Sequence, residues 1–280
     1  MTTFGTLYML PTLISDNTMR GVIPTWVRER ACTIDYFLVE AAKTTRHYLK
    51  ALNHPKPIAS LHIEEIGHEP DPAKINEWLE PLRLGHDVAI VSESGCPGIA
   101  DPGAQIVARA QREGIRVVPL VGPSSLLLTL MASGLDGQHF RFVGYLPITP
   151  DERRQRLIRL EKESAKGETI LCIETPYRNQ NLWETMVQTL RPDTRICVAI
   201  DVTGRHESIQ TKTVTSWKET HQKSPVTLRK RPTVFAFLAQ PEVRSHRPSQ
   251  APRNPAHFIR KDSKHTPQRS RSRRLGGKAQ

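Results

Sequence analysis

The chain has 280 residues, of which 38% are hydrophobic and 24% are charged, and its formal net charge is +12. This composition is typical of a soluble globular protein, and no apolar run approaches the roughly 18 residues that cross a membrane. The four cysteines have no CxxC spacing and the scattered histidines follow no ligand pattern. We therefore expect no zinc site, no signal peptide and a cytoplasmic protein with reduced thiols.

Five strands alternate with four helices in the first 121 residues. Such alternation is typical of βαβ units with right-handed crossovers, so we predict an α/β domain with a parallel sheet at 1–121. Asp71 and Pro72 predict the start of one of the helices. The predicted strands are 6–10, 34–39, 58–63, 88–91 and 115–120, and the predicted helices are 21–31, 41–52, 72–84 and 102–113.

The spacing of the elements changes after residue 121. Strands with few helices between them predict a second, mixed α/β domain with an antiparallel portion at 122–240. The predicted strands are 140–146, 168–173, 195–202, 207–214 and 233–239, and the predicted helices are 126–133, 151–166 and 178–190.

Positive charge is concentrated at the end of the chain. Residues 241–280 contain 11 Lys and Arg against two acids, a net charge of +9, and five prolines. This segment has too few apolar residues for their burial to offset the conformational entropy lost on ordering the chain. We therefore predict a disordered basic tail at 241–280. Such a tail can hold RNA through its phosphates, or it can be an incidental solvated extension.

The stretch 87–103, DVAIVSESGCPGIADPG, places a dense Gly and Pro loop after a buried strand. Strand ends are where open α/β sheets bind ligands, so a ligand loop is favoured over an ordinary turn. A hydrolase nucleophile elbow centred on Ser94 would need glycine at 92 and 96, where the chain has Ser92 and Cys96. Cys96 also has no local histidine to act as a base, so a packed or ligand-lining thiol is favoured.

Three further loops follow predicted helices or strands in the same manner. VGPSS (121–125) opens a helix, where its serines can cap the helix or face an anionic ligand. GYLP (144–147) and IETPYR (173–178) end two strands. No P-loop and no GxGxxG occurs. Four such loops in both halves of the chain predict a ligand in the cleft between the two domains.

Together these loops resemble those of the tetrapyrrole (corrin/porphyrin) methylase superfamily. Within it, residues 5–239 are most similar to the ribosomal RNA small-subunit methyltransferase I family, which methylates a cytidine ribose 2′-oxygen with S-adenosylmethionine. The segments that carry the resemblance are GTLY (5–8), VSESGCPGIADPG (91–103), VGPSS, GYLP, IETPYR and, more loosely, DVTGRHESI (201–209).

The resemblance implies a class III S-adenosylmethionine-dependent methyltransferase, with two α/β domains, the cofactor in the cleft between them and a homodimeric assembly. It implies RNA as the partner, in-line attack on the sulfonium methyl group, and no metal. The cofactor-binding residues that it implies are Leu10, Pro11, Ser92, Glu93, Ser94, Gly95, Cys96, Pro97, Ile99, Ala100, Pro123, Ser124, Ser125, Tyr145, Leu146, Glu174 and Thr175.

Two loops on the substrate side depart from the family pattern. The family commonly continues the first strand as TPIGNLxD, and this chain lacks that glycine in 10–16; Lys43 and Thr44 replace both acids of EDTRH. We therefore expect cofactor binding and leave the acceptor open. Lys43 and Arg46 are candidates for steadying a phosphate or an oxyanion, and Arg178 is a third catalytic candidate; each can equally be a solvated cation.

Three hypotheses follow, in order of preference. The first is a methyltransferase acting on ribosomal RNA at a ribose 2′-oxygen. The second is an enzyme of the same superfamily that methylates a tetrapyrrole or another small acceptor. The third is a non-catalytic RNA-binding relative whose altered loops have lost the chemistry.

Overall fold

The N-terminal half of the chain forms a five-stranded sheet in the computed structural model, which describes residues 4–241. Its strands are β1 (Leu7–Leu10), β2 (Tyr36–Val39), β3 (His62–Glu65), β4 (Val88–Val91) and β5 (Val117–Pro119). All are parallel, in the order β3-β2-β4-β1-β5, which confirms the predicted α/β sheet. Its helices are α1 (Met19–Val22), α2 (Thr25–Ala31), α3 (Ala42–Ala51), α4 (Ile75–Trp78), α5 (Glu80–Arg83) and α6 (Ala104–Arg112).

The central strand β4 is buried at all four positions because helices cover both faces of the sheet. On one face Phe37 packs in a cluster with Leu49 of α3, and on the other Leu38 packs with Ile106 of α6. Burying each such side chain fully stabilises the fold by roughly 1.5–3 kcal/mol. The packed core therefore fixes the carboxyl ends of the strands, where the loops begin.

The predicted strand at 58–63 is wrong in its position. Ile58–Ser60 is a 3-10 turn, and the strand is β3, at His62–Glu65. This strand lies at the edge of the sheet and has mostly exposed polar side chains. Its residues therefore lack the apolar pattern by which a strand is recognised.

Two predicted helices are interrupted by proline. The helix predicted at 21–31 is divided at Pro24, and the one at 72–84 is divided next to Pro81 into a 3-10 turn and two short helices. Proline donates no hydrogen bond and its ring clashes with the preceding turn. The predicted cap at Asp71 is confirmed, because its side chain accepts a hydrogen bond from the Ala73 N–H at 2.9 Å.

The second half of the described chain forms a mixed sheet. Its helices are α7 (Ser125–Ser133), α8 (Pro150–Ser164), α9 (Asn179–Thr189) and α10 (Val214–Lys223); its strands are β6 (Phe140–Tyr145), β7 (Thr169–Ile173), β8 (Arg195–Ile200), β9 (Ser208–Thr213) and β10 (Thr233–Leu238). The order is β6-β7-β10-β8-β9. Only β6 and β7 are parallel among the pairs of this sheet, which confirms the predicted antiparallel portion.

Helix α10 was not predicted from the sequence. Thr213 caps this helix, because its side chain accepts a hydrogen bond from the Ser216 N–H at 3.1 Å. Val214 and Trp217 are both buried in the same core cluster as Trp183. The spacing of Val214 and Trp217 after a threonine was a helix signal, but it was hidden by the apparent continuation of the preceding strand.

The two sheets belong to one compact unit, which includes all of the described residues. Among the described helices, none is long and apolar enough to cross a bilayer. The predicted disordered tail lies, apart from Pro241, outside the described residues. The boundary at residue 121 stays a prediction.

Candidate active site

The loop that follows β4 forms one wall of the candidate site, at the carboxyl edge of the first sheet. Four of its residues have positive φ: Gly95 (75°), Gly98 (81°), Ala100 (64°) and Gly103 (124°). Glycine enters this region without steric penalty, whereas a side chain strains it. The glycines of the motif therefore serve a tightly turned loop.

Gly95 is where this loop approaches its neighbours closely. A Cβ atom there would lie 3.0 Å from Ile14 Cγ2 and 3.2 Å from the Pro123 carbonyl oxygen. The Gly95 carbonyl accepts a hydrogen bond from the Thr12 N–H at 2.8 Å, and Cys96 Sγ donates to the Pro123 carbonyl at 3.3 Å. Loops after β1, β4 and β5 are thus joined into one surface.

A cavity of about 190 Å³, the smaller cavity, lies where this surface meets α7, β6 and β7. The predicted cofactor residues that line it are Ser94, Gly95, Cys96, Ile99, Ala100, Ser124, Ser125 and Tyr145. Four further residues line it that were not predicted from the sequence: Ile14, Asp101, Leu126 and Ile173. These four lie within or beside the motifs, so proximity in sequence was the available signal.

The other predicted cofactor residues lie around this cavity and not in its lining. Ser92 and Glu93 line a second cavity, and Glu174 and Thr175 follow β7. The remainder are buried and support the loops from behind: Leu10, Pro11, Pro97, Pro123 and Leu146.

Ser124 of VGPSS both caps a helix and lines a cavity. Its hydroxyl oxygen accepts a hydrogen bond from the Leu127 N–H at 3.4 Å, so it caps α7, and the same residue lines the smaller cavity. A distance of 3.4 Å is long for such a bond. The hydroxyl is therefore only weakly committed to the helix.

Glu174 and Arg178 form an ion pair beyond β7. Glu174 Oε1 accepts hydrogen bonds from Arg178 Nη2 at 2.6 Å and from the Thr175 N–H at 2.7 Å. The hydrogen bond from the guanidinium to Glu174 raises the pKa of Arg178. Glu174 Oε2 is buried and has no hydrogen-bond partner among the described residues. Arg178 is thus engaged with a buried carboxylate.

A second cavity of about 1,490 Å³, the larger cavity, shares the β4 loop with the smaller one. Ser92 and Glu93 line the larger cavity, whereas Ser94, Gly95 and Cys96 line the smaller. The two cavities therefore meet along 92–96.

Basic side chains from α3 line the larger cavity. Lys43, Arg46, His47 and Lys50 have the spacing i, i+3, i+4 and i+7, which places them on one face of the helix. Arg20 of α1 adds a further cation. The catalytic candidates Lys43 and Arg46 are thus brought together, and Arg178 is not in this lining.

Acidic groups gather beside the same loop. The buried Glu40 accepts a hydrogen bond from the Glu93 N–H at 2.8 Å through Oε2, and its Oε1 lies 2.5 Å from His68 Nδ1. Burial and, secondly, the Glu40 carboxylate raise the pKa of Asp101 to about 6. Donor atoms of Glu40, His68 and Glu93 lie within 4.8 Å of one another, but contacts within the protein already account for them, so we assign no metal.

Residues after β8 reach the larger cavity from the second sheet. Asp201 and Thr203 have positive φ, of 48° and 68°, which is uncommon for residues with side chains. Asp201 Oδ1 accepts a hydrogen bond from Ser15 Oγ at 2.8 Å, and Thr203 lines the cavity. Both halves of the chain therefore contribute to it.

Comparison with solved structures shows the fold. The methyltransferase CobJ is similar with a TM-score of 0.55 and 15% identity, over 84% of this chain and 94% of that one. A cobalt precorrin-4 methyltransferase has a TM-score of 0.52 and 15% identity, over 83% and 94%. The predicted class of two-sheet methyltransferase fold is confirmed.

Three similar proteins carry the name Ribosomal RNA small subunit methyltransferase I. The chain is 29% identical to the one from Vibrio cholerae, over 73% of this chain and 67% of the relative. It is 33% identical to those from Bacillus subtilis (72% and 65%) and Synechocystis sp. (72% and 69%). It spans about two thirds of the length of these relatives.

The model of the family Tetrapyrrole (Corrin/Porphyrin) Methylases matches residues 32–217. This match covers most of the chain and includes both cavities' shared loop. The predicted resemblance is confirmed, and so is the prediction of a methyltransferase, which uses a methyl donor. The chain belongs to the tetrapyrrole (corrin/porphyrin) methylase family.

Proposed function

We propose that this chain transfers a methyl group from S-adenosylmethionine to RNA, at a cytidine ribose 2′-oxygen of small-subunit ribosomal RNA. The observation that carries the proposal is the pair of cavities that meet along 92–96, one small and polar and the other large and basic. The names of the similar proteins support small-subunit ribosomal RNA as the substrate. A cytoplasmic location follows from such a substrate.

The residues of the smaller cavity fit S-adenosylmethionine chemically. Gly95 lets backbone approach closely, Ser124 and Ser125 offer hydroxyls, and Asp101 offers a carboxyl group to a cationic ligand. Outside this lining, after β7, the buried Glu174 Oε2 accepts no hydrogen bond from the residues that the structure describes. The cavity is smaller than the roughly 300–1,000 Å³ of typical ligand pockets, so part of the cofactor would lie outside it.

The basic face of α3 is suited to RNA. Lys43, Arg46 and Lys50 would contact phosphates, and phosphate contacts position a nucleic acid without reading its sequence. The bound cofactor supplies a methyl group on a sulfonium sulfur. The chain's own part is to hold the acceptor hydroxyl at the border of the two cavities, since correct placement of the reactants supplies much of the acceleration.

A tetrapyrrole acceptor is the second candidate, because its carboxylates would pair with the same cations of the larger cavity. This face would also serve an RNA-binding relative without catalysis. The three candidates are distinguished by which molecule receives label from the methyl donor: ribosomal RNA, a tetrapyrrole or neither.

We also propose a homodimer. Leu127 and Met131 lie one turn apart on α7 and are 51% and 80% exposed. Large apolar side chains with such exposure often mark an interface. Light scattering of the wild type and of the double variant Leu127→Ser, Met131→Ser tests the proposal. We expect the wild type to be a dimer and the double variant a monomer. A monomeric wild type would contradict the proposed dimer.

The function is tested by incubating the purified protein with methyl-labelled S-adenosylmethionine and either ribosomal small subunits or tetrapyrroles. We expect label in the ribosomal RNA, and mass spectrometry of its nucleosides should show 2′-O-methylcytidine. Label only in the tetrapyrrole would replace the first candidate by the second. RNA binding without any transfer would favour the non-catalytic relative, and failure to bind S-adenosylmethionine by calorimetry would overturn the proposal.

A further inference from the structure

Glu93 occupies the border between the two cavities. It is exposed and lines the larger cavity, while the three residues that follow it line the smaller one. A hydroxyl group that meets a methyl donor across this border would come close to the 93 position. Asp16 is the other acid in the lining of the larger cavity.

The Glu93 segment is held in place from two sides. Its N–H donates to Glu40 Oε2 at 2.8 Å, and its carboxylate accepts a hydrogen bond from Thr44 Oγ1 at 3.3 Å. Glu40 is 5% exposed and is bound to His68 through its other oxygen. For the Asp16 carboxylate, the described residues provide no hydrogen-bond donor. Glu93 is therefore the better-positioned acid of the two.

We propose that Glu93 is a catalytic residue that accepts the proton of the acceptor hydroxyl, and that Glu40 is a positioning residue acting through it. The inference rests on the proposed methyl transfer. The hydroxyl oxygen forms a bond to the methyl carbon, the carbon–sulfur bond breaks with its electron pair going to sulfur, and the hydroxyl proton passes to the Glu93 carboxylate and then to water.

The surroundings of Glu93 are acidic. Glu40, His68 and Asp101 are the titratable groups that face this part of the loop. Burial and, secondly, the charge of Glu40 raise the pKa of Asp101 to about 6. A proton added there reduces the repulsion between the carboxylates.

The test uses Glu93→Gln, which keeps the shape of the side chain and the acceptor for Thr44. Glu219→Gln is the matched control, because Glu219 is an exposed glutamate on α10. With both substrates saturating, single-turnover methyl transfer should be about 100-fold or more slower in Glu93→Gln, as expected for loss of a general base. The control should equal the wild type.

Two binding measurements accompany the rate. If Glu93 acts as the base and not as the cofactor contact that the resemblance implies, Glu93→Gln should keep its affinity for S-adenosylhomocysteine, measured by calorimetry, and for RNA, measured by fluorescence anisotropy. A rate close to that of the wild type would overturn the proposal. So would a rate loss matched by an equal loss of either affinity, or a loss of chemistry in Asp16→Asn and not in Glu93→Gln.

The role of Glu40 is tested by non-additivity. Glu40→Gln alone should slow transfer, but in the Glu93→Gln background it should add little, because it acts through the same group. Additive losses would show that Glu40 acts independently of Glu93. If the wild type methylates no ribosomal RNA, the proposed function fails. If the wild type methylates ribosomal RNA and Glu93→Gln does so at the same rate, only the inference about Glu93 fails.

Discussion

The two cavities share one loop, but backbone and small residues form much of one, whereas long charged side chains line the other. Backbone and small residues form much of the smaller cavity, with Gly95, Ala100 and Ser124 in its lining. Long charged side chains from α3, such as Lys43 and Arg46, line the larger one. Binding in the smaller cavity thus depends on the conformation of the loop. Binding in the larger cavity depends on charged side chains of a helix, which can be substituted without changing the fold.

This difference explains why the sequence identified one cavity better than the other. Glycine and proline at strand ends constrain the backbone and so leave a recognisable pattern. Surface cations on a helix resemble any solvated helix face. We therefore expect substitutions in the smaller cavity to change donor binding and stability, and substitutions in the larger cavity to change RNA binding.

The largest effect is expected for Gly95→Ala. The left-handed φ costs a side chain about 1–2 kcal/mol, and crowding against Ile14 and the Pro123 carbonyl adds about 1–3 kcal/mol. Denaturant unfolding should show a loss of about 2–5 kcal/mol in total, and donor affinity by calorimetry should fall at least about tenfold. Gly114→Ala, at φ 72° with open space around it, should show the strain alone. Equal losses in both variants would contradict the crowding.

Reversing the charge of the α3 face comes next. The double variant Lys43→Glu, Arg46→Glu should bind RNA about tenfold more weakly at low salt, since two phosphate contacts become repulsive. The slope of log K against log salt should also become shallower by about 1.4 for a single strand. Lys162→Glu, on the exposed face of α8, should leave both unchanged, and donor affinity should not change in either variant. Unaltered RNA affinity in the double variant would contradict the assignment.

Asp101→Asn should stabilise the protein at neutral pH. The pKa of Asp101 is raised to about 6, so folding disfavours the charged carboxylate. Its contribution is fully present below the unfolded pKa near 4 and is lost as pH rises through 6. We expect a gain of roughly 1–2 kcal/mol at pH 7.5, after allowing for partial exposure, and no gain at pH 3.5. A variant that is less stable at pH 7.5 would contradict this.

The smallest effect is expected for Ser124→Ala. Loss of an N-cap costs about 0.5–2 kcal/mol, and the 3.4 Å bond to Leu127 places this one at the low end. Thermal unfolding of the free protein should therefore change by only a few degrees. Thr213→Ala, which removes the shorter 3.1 Å cap of α10, should cost more. The reverse order would show that Ser124 is mainly a helix cap.

Most helices and strands could be predicted from the sequence, because a buried strand such as β4 has an unbroken apolar run. The misplaced β3 and the missed α10 are exceptions with a physical reason. An exposed edge strand has no apolar face to recognise, and Val214 packs as part of a helix although it continues a strand-like pattern. Pairing and packing decide such cases, and they act between residues far apart in the chain.

The sequence by itself determined the fold class and the loops of the smaller cavity, because backbone constraints are local and leave their mark in residue type. Only the tertiary structure brought Glu40, His68 and Glu93 together from the ends of three strands, and Ser15 to Asp201. Each of these residues is unremarkable in its own segment. Their chemistry comes from distances that the packing of the two sheets sets, which no single stretch of sequence encodes.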